Sequence, residues 1–152
     1  MDEAAVTQYI TDTFDGLDVA VASGDTFFFY DPGRSLPPDR RLPFATLVTS
    51  DAYDTASDLD RPSVFRLNVG VSPDTYRSLF GPQPSAPGAD GVVATGHDFT
   101  ALDQILPHPV YAPMSWICVL NPSDARFQAI RPFLAEAYDL AVRRHARRVA
   151  RG

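Results

Sequence analysis

Residues 42–71 read LPFATLVTSDAYDTASDLDRPSVFRLNVGV, and two strand-like apolar runs stand inside them, Phe44 to Thr49 and Val64 to Val71. In the second run Phe65, Leu67, Val69 and Val71 fall on one side of a pleated strand, and Val64, Arg66 and Asn68 on the other. The first side is apolar throughout and is expected to face a core beneath helices. The other side is partly polar, so a binding surface is expected there. On this pattern Leu67→Ala should cost on the order of 2–5 kcal/mol, whereas Arg66→Ala should cost little.

The loop between the runs carries Asp51, Asp54, Asp58, Asp60 and Arg61. Carboxylates are ligands for hard cations, but this spacing matches no EF-hand loop and lacks a glutamate. The loop therefore reads as aspartates capping turns, with Arg61 paired to a neighbour and no metal expected.

Upstream, Val6, Tyr9, Ile10, Thr13 and Phe14 recur at helical spacing, which predicts a helix from Glu3 to Asp15 ended by Gly16. Asp18 to Ser23 alternates, Gly24-Asp25 offers a two-residue turn, and Thr26 to Tyr30 (TFFFY) follows as a strand expected near the centre of the sheet. A loop then runs to Arg41. Downstream, Ser72-Pro73-Asp74 opens a helix that should stop at Gly81. Residues 82–96, rich in Pro and Gly, form the longest irregular region. Asp98 could cap a short helix through Gln104, and Pro107-His108-Pro109 forces an extended connection. Ser115 to Leu120 reads as a strand. The last helix starts after Asn121-Pro122-Ser123, should kink at Pro132 and should continue to about Arg148.

That order predicts an α+β fold: a two-layer sandwich with a mainly antiparallel sheet and the N- and C-terminal helices on one face. The 152 residues are expected to form one domain with an Arg-rich tail at 143–152. All 13 basic residues are arginine, and the net charge is −6. With five arginines in the tail, the rest of the chain carries −11. So acidic a body repels a phosphate backbone, and a broad nucleic-acid face is not expected. No apolar run is long enough to span a bilayer, and Met1-Asp2-Glu3 lacks the pattern of a signal peptide. A cytoplasmic location is expected. The single Cys118 excludes an intrachain disulfide.

The closing segment HPVYAPMSWICVLNPSDARFQAIRPFLAEAYDLAV is similar to the end of MmcQ/YjbR-like proteins, and FRLNVGVSPDTYRSLFG looks like their central strand and short helix. More closely, TFFFYDP, LPFATLVTSDAYD, SDLDRPSVFRLNVGV and the Trp116 strand resemble an uncharacterised bacterial family of unknown function that spans almost the whole chain. The wider group implies a frataxin-like sandwich and a discussed role in DNA binding. This chain departs from it in having no lysine and in being acidic.

Three sets of residues could carry chemistry. His97 and His108 could act as bases oriented by a carboxylate. Phe28, Tyr30, Tyr111 and Trp116 could line a site for a flat ligand, with Arg66 and Asn68 as polar contacts. Arg143, Arg144, Arg147 and Arg148 could touch nucleic acid weakly. Cys118, alternating with Ile117 and Val119, reads as a buried small residue. The chain is read as a non-enzymatic binding module that uses the open sheet face for a small molecule or a protein. Its ligand-binding candidates are Tyr30, Arg66, Asn68, His108, Tyr111 and Trp116, and no catalytic residue, cofactor or metal is expected. An enzyme using His97 or His108, and a nucleic-acid binder using the tail, are the rival readings.

Overall fold

The computed structural model describes residues 1–37 and 41–151. Of the loop expected to run to Arg41, residues 38–40 lie outside the described residues. The elements are α1 (Glu3–Thr13), β1 (Leu17–Ala22), β2 (Asp25–Tyr30), β3 (Ala45–Val48), β4 (Arg66–Gly70), α2 (Pro73–Phe80), β5 (Ile105–Pro107), β6 (Trp116–Leu120) and α3 (Asp124–Ala150). The strands form one sheet in the order β1-β2-β3-β4-β6-β5, and every pairing is antiparallel. This is the expected α+β arrangement, with terminal helices against one sheet face.

The alternation in residues 64–71 sets the two faces. Leu67 pairs with Leu47 and Val119, and Val69 pairs with Ala45 and Ile117. These side chains join Val6 and Ile10 of α1 and Phe127, Ile130 and Leu134 of α3 in the main core. On the other face Val48, Leu106, Cys118 and Leu120 meet Leu59 and Val64 from the loop in a second, smaller core. The Asp-rich segment is thus not merely a solvated excursion. Leu59 is buried and covers one end of the second sheet face. The loop is closed by its aspartates, as expected: Leu59 N donates to Asp51 Oδ1 at 2.8 Å and Asp51 N donates to Asp60 Oδ1 at 3.1 Å. Arg61 lies 3.7 Å from the Asp58 carboxylate.

Several boundaries differ from the sequence expectation for local reasons. Helix α1 ends at Thr13, because Phe14 turns inward and stacks on Tyr138 at 4.7 Å between ring centres. The tight turn is Ser23-Gly24 rather than Gly24-Asp25. Both residues have positive φ, 53° and 83°, as a two-residue hairpin of the primed kind requires. Strand β2 lies second from the sheet edge, so it is interior but not central. No helix forms at residues 98–104: Asp98 instead accepts from Thr100 N at 3.0 Å, and Asp103 sits at φ 59°. Ile105–Pro107, which overlaps the expected extended connection only at Pro107, is an edge strand, where proline's missing donor faces no partner. Helix α2 has the expected bounds, with Ser72 Oγ accepting from Thr75 N and Gly81 at φ 86°. Helix α3 continues through Pro132, which is exposed, and reaches Ala150.

Candidate functional site

The uncovered end of the second sheet face holds a cavity of about 340 Å³. Its floor is one row of side chains set by strand register: Phe27 pairs with Thr46 and Thr46 with Asn68, while Cys118, the next in the row, belongs to the second core. Arg66 lies one pleat further along β4, on the same face. Trp116 pairs with Gly70, and that glycine is the reason its indole can lie against the strand. A Cβ on Gly70 would come within 2.9 Å of Trp116 Cε2.

Among the described residues Arg66 is the largest fully buried side chain, 1% exposed. Arg66 lies on the expected face, but a side chain this buried does not fit the expectation that its removal costs little. The partner that buries it is Asp54, brought over from the loop. Arg66 Nη1 donates to Asp54 Oδ1 at 3.0 Å and Nη2 to Asp54 Oδ2 at 2.7 Å, a two-pronged pair. Nη1 also donates to Ser57 Oγ at 2.9 Å and Nε to Asn68 Oδ1 at 2.9 Å. Asn68 Nδ2 then donates to Thr46 Oγ1 at 3.0 Å. Burial alone would raise the Asp54 carboxyl, but the bonds and charge of Arg66 outweigh it and hold the group below its ordinary value.

His108, just after edge strand β5, closes one side and is 3% exposed. Its Nδ1 accepts from both Val110 N and Tyr111 N at 3.0 Å. The ring proton therefore resides on Nε2, which has no partner among the described residues. Burial, with the nearby Arg66 charge, pushes this imidazole down to about 3, against a smaller opposing pull from Asp54. The ring is neutral at ordinary pH. Tyr53, Tyr111 and Met114 form an exposed apolar rim, and Phe27 packs edge-to-face on Tyr53 at 6.3 Å.

Five candidates from the sequence thus share one cavity: Arg66, Asn68, His108, Tyr111 and Trp116. Tyr30 stands apart. It has the same parity on β2 as Phe28, the other aromatic residue expected at the site, which is fully buried in the main core; both face the helical layer, where Tyr30 meets the rings of Tyr138 and His145. Thr46 and Phe27, which sequence reasoning passed over, were legible in principle, since each alternates with core residues of its own strand. Asp54 was singled out only as one of a series, and nothing in the sequence joins it to Arg66.

The remaining candidates lie elsewhere. His97 is exposed, with Nδ1 2.9 Å from Thr95 Oγ1, while its neighbour Asp98 is bonded to Thr100. Cys118 is fully buried, and burial pushes its thiol up to about 12, as suits an inert packing residue. Among the described residues no three His, Cys, Asp or Glu side chains are grouped so as to hold a metal ion. None of the described helices is long and apolar enough to cross a membrane.

Compared with known proteins, residues 1–150 match the model of DUF6194, a family of unknown function. The chain belongs to that family. No curated protein and no solved structure matches it. Within the span that places this chain in DUF6194, the cavity draws on β2, β3, β4, β6 and the three loops that supply residues 42–43, 53–54 and 108–114.

Proposed function

We propose that this DUF6194 protein is a non-enzymatic, cytoplasmic binding module whose cavity on the second sheet face takes a small molecule. One observation carries the reading: a recess of about 340 Å³ combines an apolar, exposed rim with a buried polar floor locked by its own hydrogen bonds. That volume lies within the roughly 300–1,000 Å³ usual for ligand sites, and a small set of fixed polar groups in an apolar hollow gives orientation and specificity. Binding is favoured over catalysis by His108. Both of its ring nitrogens are committed in the wrong sense for a general base, Nδ1 by two backbone donors and Nε2 by its proton. Asp54 is spent on Arg66 and does not bond the imidazole. The more distant kinship with MmcQ/YjbR-like proteins, and a frataxin-like sandwich, belong to the same proposal and are supported by the antiparallel sheet packed by terminal helices.

Trp116 is the sole tryptophan and lines the cavity, so its emission reports occupancy. A metabolite panel is expected to yield compounds that both raise the melting temperature and change that emission. Tyr111→Ala and Met114→Ala remove exposed rim groups, so they should leave the fold intact and weaken such binding by about tenfold. Ligands that bind both variants as tightly as the parent would place the site elsewhere.

A further inference from the structure

The cavity floor holds an imbalance of hydrogen-bonding groups that bears on the chemistry of its occupant. Arg66 uses four of its five N–H groups, on Asn68, Asp54 twice and Ser57, and keeps one on Nη2. Asn68 Nδ2 spends one proton on Thr46 and retains the other. The Thr46 hydroxyl accepts that bond, and its own proton has no acceptor among the described residues. His108 Nε2–H completes the set. Four lining residues thus retain donors, and each is at most 9% exposed. Beside them the acceptors on Asp54, Asn68, Thr46 and Ser57 each already take a hydrogen bond. Donors that face a mostly apolar hollow are met best by an occupant that supplies acceptors, so such an occupant is favoured.

Charge narrows the class further. Among the residues lining the cavity only Arg66 and Asp54 are ionised, and they neutralise each other through two bonds. An anion would have to compete with Asp54 for the guanidinium or stay uncompensated in an apolar hollow. A cation would find no free carboxylate. The indole of Trp116 and the ring of Tyr111 offer flat apolar faces instead.

Building on the binding reading above, we infer that the ligand is an uncharged, planar ring compound that presents carbonyl oxygen to Arg66, Asn68, Thr46 and His108 while its ring lies against Trp116. Three probes of one ring size test this by calorimetry: 2-quinolone (uncharged, with a carbonyl), naphthalene (no acceptor) and 2-naphthoate (anionic). The expected result is 2-quinolone binding at least about tenfold more tightly than either of the others. Thr46→Val, which removes one donor at nearly constant volume, should reduce the preference for 2-quinolone over naphthalene by about threefold or more. His108→Asn, which keeps the acceptor for Val110 N and Tyr111 N, gives a second variant should the first fail to fold. Equal binding of quinolone and naphthalene, or preference for naphthoate, overturns the ligand class while leaving a binding module. Binding of none of the three, with hits elsewhere in the metabolite panel, also overturns the class alone. No hit in either experiment sinks both.

Discussion

Arg66 illustrates how a charged residue becomes structural once its partner is in place. Its guanidinium is buried and satisfied by Asp54, Ser57 and Asn68, so truncating it strands a carboxylate that is itself 11% exposed. Arg66→Ala is expected to lower stability by about 3–5 kcal/mol, the usual cost of breaking a buried pair from one side. The double change Arg66→Met with Asp54→Leu should cost clearly less than Arg66→Met alone, and urea unfolding of the variants decides it. His108 contributes a pH dependence. Its folded value is pushed down to about 3 from an ordinary 6.5, so the unfolded chain binds the proton first as pH falls. Its stabilising contribution is therefore complete above pH 6.5 and is lost progressively between about 6.5 and 3. Asp54, also held low, acts in the same direction but only below its ordinary value of 3.8. Between pH 5.5 and 4.5 the parent should lose about 1.4 kcal/mol through His108. His108→Asn should be flatter across that interval, and an unchanged slope would mean the imidazole is free to protonate in the fold. In the sequence Arg66 looked inexpensive to remove because alternation tells only which face a side chain takes. Whether that face is covered depends on a loop twelve residues away, and no local pattern records it.

At the level of elements, β4 and its loop carry both the fold and the cavity. The alternation of Phe65, Leu67, Val69 and Val71 was legible because the helices cover one face of that strand completely. The helix α2 bounds were legible from Ser72, Pro73 and Gly81, where cap, first-turn proline and left-handed glycine each act locally. Elements fixed by distant partners were not. Strand β5 is three residues long and exists through its pairing with β6, while Asp98 closes a turn where a helix cap was expected. Tyr30 was placed with the cavity for its aromatic ring, although parity with Phe28 assigns it to the helical layer. Gly70 is the element-scale test of the site. Its backbone is not strained, but an added Cβ would lie 2.9 Å and 3.0 Å from two atoms of the Trp116 indole. Gly70→Ala should therefore cost about 1–3 kcal/mol as a local overpacking. It should also displace the ring toward the cavity, shifting Trp116 emission and weakening any bound ligand. Emission identical to that of the parent would show that the indole does not rest on β4.

For the molecule as a whole, charge is divided unevenly, and helix α3 carries the division. Residues 143–152 hold five arginines, so the rest of the chain carries −11 against −6 overall. Helix α3 reaches Ala150, so most of this stretch is its last turns rather than a loose tail. Cations there favour the helix dipole by roughly 0.3–1 kcal/mol each at low salt. Arg143 also pairs with Asp139 one turn back at 2.9 Å, and His145 packs on Tyr30 at 5.3 Å between ring centres. Those contacts are mostly exposed and lie at the far end of the helix from Phe127 and Ile130, which anchor it in the core. Deleting residues 143–152 should therefore lower the melting temperature modestly, and less at high salt, where the favourable charge–dipole energy is already screened. Cavity ligands should bind the truncated chain as they bind the full one, because none of the deleted residues lines that cavity. If the arginines instead serve as a nucleic-acid contact, the full chain should bind DNA or RNA with a steep salt dependence that truncation abolishes. Filter binding of both chains at two salt concentrations separates the outcomes. Salt-dependent binding by the full chain alone would make the arginine-rich end a second functional surface, opposite in charge to the body that carries it.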